Sequence, residues 1–185
     1  MPIKKIYQDL GLNAAFSRVQ VLFESLVPAI YSVNSFSHKL IGFDIFDKFP
    51  ETNFEDAKKY RDNFVQAASE QSISKEQLLK VLRKKGIDKN VELIEGNVVK
   101  SVPEYLEKNP HTRISLLNLD TDIYEAAVPI LKYLWPKIFT ERILVLDDYG
   151  TFPGKNKAVD EYFRNQHVKI LKFPFVMTPC YIIKE

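Results

Sequence analysis

The chain has one cysteine, three histidines and no apolar run approaching the about 20 residues that a membrane-spanning helix needs. Cys180 alone excludes an internal disulfide framework and leaves no cysteine set for a zinc cluster, which suits a reducing compartment; in its apolar surroundings it reads as a core residue. Charge of one sign is missing too. The 26 Lys and Arg against 24 Asp and Glu give a net +2 with no basic tract, so nothing directs the chain to nucleic acid or to an acidic membrane surface. The opening MPIKKIYQDLGL is charged and lacks an apolar stretch of signal-peptide length, and cytoplasmic residence is expected. There is no internal repeat, no low-complexity linker and no evident activated nucleophile. His38, His111 and His167 fall outside the motifs described below and are expected at the surface, with His167 the nearest to a candidate base. What is present is ordinary for a globular protein: 45% hydrophobic and 27% charged residues. The 185 residues are most simply one domain, 1–185, long enough to bury a core without disulfides or structural metal.

Periodicity along the chain alternates strands with helices. IKKIYQDLGL is a strand candidate, followed by a helix in which Val19, Leu22, Phe23 and Leu26 share one face. Leu40 to Asp44 is a compact apolar strand. Residues 46–73 are polar and read as an insertion with some helix, a place for a substrate wall; its aromatics Phe49, Phe54, Tyr60 and Phe64 suit either core packing or stacking on a pyranose. Ser74 with Gln77 forms a capping box for KEQLLKVLRKK, and Gly86 is placed to close that helix. VELIEG is a strand, and Ser101 with Glu104 is expected to cap the helix VPEYLEK. RISLLNLD is a strand, EAAVPILKYLW a helix with Pro129 expected near its first turn, RILVLDDYG a strand and NKAVDEYFRNQ a helix. VKILKFP and PCYIIKE finish the chain as two strands too closely linked to be parallel. The pattern predicts an α/β fold, a seven-stranded, mostly parallel sheet with an antiparallel C-terminal strand.

Ligands of such sheets collect at the C-terminal ends of the strands, and acids recur there. Asp9 ends the first expected strand, Asp44 the second, Asp120 the fourth, and Asp147 with Asp148 the fifth. A single acid at a strand end is commonly a helix N-cap. Several on adjacent strands repel one another unless a cation is present, and oxygen-only donors suit Mg²⁺, or else Ca²⁺ or Mn²⁺. In DLGLNAAFS, Asp9, Gly11 and the small Ala14 and Ala15 lead into a helix, where backbone and dipole favour an anionic group. Asp44 adds a carboxylate placed to accept from a ribose diol.

The segments IGFDIFDKFPE, EGNVVKSVPEYL, ISLLNLDTDIYEAAVPILKYLWPK, ILVLDDYGTFPGKNKAVDEYF and KFPFVMTPCYIIK, in this order from about Asp9 to the C-terminus, resemble the macrocin O-methyltransferase family. LDTDIYE and LDDYGTFPGKNKAVDE are the most specific of them. The resemblance implies a Rossmann-like class I methyltransferase fold and a reaction dependent on S-adenosylmethionine and Mg²⁺, with methyl transfer to a sugar hydroxyl of a natural product, polysaccharide or nucleotide sugar. It further implies Asp120, Asp147 and Asp148 as metal ligands, and Asp122 with Asp120 as the pair that orients the acceptor and takes its proton. Asp44 would hold the cofactor ribose, Gly96, Asn97 and Val98 would form the loop beside the adenine, and Asp9 with Gly11 would make the first cofactor motif. The expected partner is a small sugar-containing acceptor, with no nucleic acid or membrane, and with room for a homo-oligomer.

The chain departs from the family pattern at Ala15, where a second glycine is usual, and in opening at the first strand without the helices that usually precede it. Those departures motivate a second reading, a cofactor-binding relative with weak or no turnover. A third, a metal-dependent glycosyltransferase, follows from the acid-x-acid turn after an apolar strand; the ligand that stabilises the fold separates it from the first two.

Overall fold

The computed structural model describes residues 39–46, 49–68, 73–86, 88–174 and 178–185. The expected first strand and the helix after it, with Asp9, Gly11, Ala14, Ala15 and His38, lie outside the described residues. The chain divides into two compact units, one made of Met1–Pro50 with Asn63–Gly96 and the other of Glu51–Asp62 with Asn97–Glu185.

In the first unit, β1 (Leu40–Asp44) and β2 (Val91–Glu95) pair in parallel, with Leu40 opposite Val91 and Asp44 opposite Glu95. The helix that precedes β2 here is α2 (Lys75–Lys85), and its ends are fixed as expected. The Ser74 hydroxyl accepts from the Gln77 N–H at 3.3 Å while the Gln77 side chain accepts from the Ser74 N–H at 2.9 Å. Gly86 closes the helix at φ 68°, and Arg83, Lys84 and Lys85 in the last turn complement the macrodipole. Leu78 and Leu82, four residues apart on one helical face, pack with Phe46, Ile73 and Leu93 into the core of this unit. The 46–73 insertion contains α1 (Glu55–Ala68), which opens on the acids Glu55 and Asp56.

The second unit holds a four-stranded sheet in the order β3 (Ile114–Leu119), β4 (Ile138–Leu146), β6 (Cys180–Ile183), β5 (Leu171–Lys172). β3 and β4 are parallel, and β6 runs antiparallel to both β4 and β5. The reversed last strand is therefore as expected. Leu119, Leu144, Leu146, Cys180 and Ile182 are completely buried along these strands. The helices are α3 (Val98–Lys108), α4 (Tyr124–Leu134) and α5 (Pro153–Phe163). Ala127, Ile130, Leu131 and Leu134 line the buried face of α4, which packs against α3, α5 and β3. Trp135 and Phe163 meet edge-on with ring centroids 5.0 Å apart. The Lys184 ammonium donates to the carbonyls of Trp135 at 3.0 Å and Ile138 at 2.7 Å, fastening the end of the chain to the turn after α4.

Four expectations need correction. The described residues hold six strands in a two-stranded and a four-stranded sheet, not one seven-stranded sheet. Ser101 does not cap its helix: α3 starts earlier, capped by the Asn97 side chain, which accepts from the Val99 N–H at 3.0 Å. Asn is as good an N-cap as Ser and directly follows the turn at Gly96, so the earlier start wins. Pro129 lies in the second turn of α4, its missing N–H leaving the Glu125 carbonyl without the usual helical donor. Finally, α5 begins at Pro153, whose fixed φ suits the first helical position, rather than at Asn156.

Gly154 sets how closely α5 approaches the turn after β3. A Cβ there would lie 2.8 Å from the Tyr124 nitrogen and 3.1 Å from the Asp122 oxygen, both backbone atoms that cannot swing aside. Gly154→Ala is expected to cost about 1–3 kcal/mol, read as a lower urea midpoint at unchanged slope; an unchanged midpoint would mean that α5 has slack at this contact.

Candidate active site

Asp44 ends β1 with its Oδ1 accepting from the Ile45 N–H at 2.7 Å, while Oδ2 is buried with no hydrogen-bond partner among the described residues. Burial raises its pKa above the usual carboxylate range, and the N–H groups of Ile45 and Phe46 pull it only partway back. Phe46 follows at φ 50°, a left-handed conformation strained for a bulky residue, with its ring held in the apolar core. The Gly96 N–H donates to the Asp44 carbonyl at 2.9 Å, and Gly96 itself sits at φ 127°. The structure thus brings Gly96 beside Asp44, at the C-terminal ends of two parallel strands. Asn97 and Val98, the other expected cofactor residues described, open α3 in the second unit as its cap and first residue. A buried carboxylate oxygen with nothing to accept from is suited to a ligand hydroxyl.

The second set of acids lies where β3 and β4 end. Leu119 pairs with Leu146, and the Asp147 N–H donates to the Leu119 carbonyl at 3.2 Å, so Asp120 and Asp147 leave neighbouring strands side by side. Asp122, two residues on, is buried; Asp120, Asp147 and Asp148 are half-buried. Asp148 is held at φ 49° in a turn closed by one internal hydrogen bond and fastened to α5 by two more. The Thr151 N–H donates to the Asp148 carbonyl at 3.0 Å, the Gly150 N–H to Asn156 Oδ1 at 2.9 Å, and the Tyr149 hydroxyl to Asp160 Oδ1 at 2.5 Å. Burial, and after it the Asp160 carboxylate, push the Tyr149 pKa far up, keeping the phenol a donor. Among the described residues no three His, Cys, Asp or Glu side chains converge closely enough to hold a metal ion, so Asp120, Asp147 and Asp148 are neighbours without forming a closed ligand set.

Several contacts here have no counterpart in the expectations. Glu125, in the first turn of α4, accepts from the Thr52 hydroxyl at 3.0 Å and the Asn53 N–H at 2.7 Å, fastening the insertion to the helix that follows the acidic turn. Burial opposes its ionisation, but its own N–H, those of Asn53 and Phe54, and the Thr52 hydroxyl outweigh that and lower its pKa. The Lys157 ammonium lies 4.4 Å from the Phe54 ring centroid and 5.2 Å from that of Tyr124, whose hydroxyl donates to Glu161 at 2.7 Å. Lys155 is completely buried at the start of α5. The spacing of Lys155 with Ala158 and Val159, both buried, carries that signal, since residues three and four apart share a helix face. His111 and His167 are exposed, as expected.

The family model of macrocin-O-methyltransferases (TylF) matches residues 25–174. The chain belongs to this family. No curated protein sequence matches it at a significant level. Among solved structures, CalS11, a calicheamicin methyltransferase, is similar at TM-score 0.63 and 23% identity over 85% of this chain and 65% of that one. The O-methyltransferase NovP is similar at TM-score 0.68 and 21% identity over 84% of this chain and 63% of that one. At such identities the likeness shows the fold, an α/β methyltransferase-like one, and the chain spans about 65% of the length of CalS11.

For this macrocin O-methyltransferase family member, Asp44 carries a thermodynamic signature. A folded pKa above the unfolded value of about 3.9 means that stability is greatest below that pH and is lost as pH rises through the folded value. Asp44→Asn is therefore expected to raise the Tm at pH 7, with the gain shrinking as the pH falls toward about 4; a lower Tm at pH 7 would show that the carboxylate is a net stabiliser.

Proposed function

We propose that this chain is an S-adenosylmethionine-dependent O-methyltransferase acting on a hydroxyl of a sugar-containing small molecule, in the cytoplasm. The observation that carries the reading is Asp44: a buried carboxylate oxygen with no partner among the described residues, beside a strained Phe46, at the strand end where a ribose diol would be accepted. Family membership supports the reaction class. The sugar acceptor is taken from CalS11, a TDP-rhamnose 3'-O-methyltransferase of calicheamicin biosynthesis that is similar at TM-score 0.58 and 23% identity. No described helix is long and apolar enough to cross a membrane, which fits an acceptor met in water.

Bound S-adenosylmethionine would supply an electrophilic methyl group on a sulfonium. A divalent ion, for which Asp120, Asp147 and Asp148 offer hard oxygen donors on adjacent strand ends, would lower the pKa of the acceptor hydroxyl. The donor chemistry suits Mg²⁺, although the three carboxylates are not drawn into one ligand set. The remaining work falls to the chain itself. Asp44 Oδ2 would accept from the ribose, with Gly96, Asn97 and Val98 forming the wall beside the adenine and Asp9 and Gly11 completing the cofactor motif. A carboxylate oxygen of Asp120 or Asp122 would take the hydroxyl proton as the oxygen attacks the methyl carbon in line. Glu125 holds Thr52 and Asn53, and through them Phe54, at the start of α4, three residues beyond Asp122, so the insertion supplies a wall near the proton acceptor. Holding both reactants in register would contribute a large share of the rate.

The test is transfer of a labelled methyl group to a panel of nucleotide sugars that includes TDP-rhamnose, in MgCl₂ and in EDTA. Transfer to at least one sugar, stronger with Mg²⁺, is expected, with Asp122→Asn and Asp120→Asn each lowering kcat by about 10²–10⁴. No transfer across the panel, with S-adenosylhomocysteine still bound, would contradict the enzyme reading and favour a cofactor-binding relative.

A further inference from the structure

Lys155 has no solvent exposure. It stands third in α5, after Pro153 and Gly154, at the end of the helix where the macrodipole disfavours a cation. Burial and dipole thus both oppose a charged lysine here, and a buried ammonium requires negative charge set against it. The acids on the later turns of α5 are committed elsewhere: Asp160 accepts from Tyr149 and Glu161 from Tyr124, and both are exposed. The negative groups gathered at this end of the helix are those of the two strand-end turns. Gly154 presses the first turn of α5 against the backbone of Asp122–Tyr124, and the Gly150 to Asn156 bond fastens the Asp147–Asp148 turn to the same helix. The next cation of α5, Lys157, is exposed and lies over the rings of Phe54 and Tyr124.

We infer that Lys155 is a positioning residue whose ammonium is the built-in counter-charge of the acidic centre, holding Asp122 and its neighbours together whether or not a divalent ion is present. The inference rests on reading those acids as the reaction centre. One fixed positive charge offsets part of the repulsion among the four carboxylates that share two adjacent turns. A divalent ion then adds to a preassembled centre instead of assembling it.

The experiment compares thermal melts of the full chain and Lys155→Met, in EDTA and in saturating MgCl₂. Lys155→Met is expected to lower the Tm in EDTA by about 5–10 °C, and Mg²⁺ should raise the variant by several degrees more than it raises the wild type. Adding Asp122→Asn or Asp148→Asn to Lys155→Met should recover much of the loss, because removing an acid rebalances the centre; a merely space-filling lysine would show neither effect. Equal Mg²⁺ shifts in wild type and variant, with no recovery in either double variant, would overturn the inference. If Lys155→Met alone does not fold, the double variants decide: folding restored by loss of an acid supports the counter-charge, and its absence from both refutes it. The shift caused by S-adenosylhomocysteine in the same samples reports the cofactor site separately, so its loss would count against the proposed function and not against Lys155.

Discussion

The arrangement of the acidic centre depends on the parallel ladder between β3 and β4. With Leu119 opposite Leu146, both completely buried, the two strands end level, and the Asp147 N–H closes the ladder onto the Leu119 carbonyl. A slip of one residue would turn each strand's apolar set to the wrong face, so the core that excludes water from the sheet also fixes where the acids emerge. Everything after the ladder follows from those exits. The turn after β3 leads into α4, the turn after β4 leads into α5, and Gly154 lets the second helix come down on the first turn. Tyr149 and Gly150 then tie the Asp147–Asp148 turn to the flank of α5. The carboxylates are placed by hydrogen bonds to backbone and to a neighbouring helix, which is a rigid way to hold groups that repel.

Stability is given up at several of these points. Asp44 is half-buried with its Oδ2 buried and unsatisfied among the described residues, Phe46 and Asp148 are in left-handed conformations, and a lysine is buried at the wrong end of a helix. Each is disfavoured on its own, and each persists because the surroundings over-determine it. Phe46 is fixed by its ring in the apolar cluster of the first unit, and Asp148 by the bonds around its turn. Asp44, Phe46 and Asp148 lie at the C-terminal ends of parallel strands, where open α/β sheets bind their ligands, and Lys155 lies in the first turn of the helix that follows one of them.

Local signals in the sequence predicted the local structure well. The bounds of β1, the capping box at Ser74 and the left-handed stop at Gly86 each depend on a few adjacent residues, and each is found as expected. Where two local signals competed, the reading went astray: Asn97 takes the cap in place of Ser101, and Pro153 opens α5 ahead of Asn156. The first half of β4 was missed because Phe139–Arg142 is exposed and carries no apolar pattern; the register against β3 shifts across it, from Ile114 opposite Ile138 to Leu116 opposite Ile143, and the Glu141 N–H donates to the Lys184 carbonyl at 2.7 Å. The acids themselves were legible as strand ends. Their supports were not, because Thr52 and Glu125 are 73 residues apart and a bond between them leaves no periodicity to read. Lys155 was within reach, since its spacing with Ala158 and Val159 marks a buried face.

The central claim is that Asp44 marks a nucleoside-cofactor site, and equilibrium binding of S-adenosylhomocysteine by titration calorimetry tests it most directly. The account predicts one site per wild-type chain and a loss of affinity of at least tenfold in Asp44→Asn, since a buried charge-assisted hydrogen bond to the ribose would contribute about 1.5–3 kcal/mol. Binding of equal strength in wild type and Asp44→Asn, or none to the wild-type chain, would contradict it.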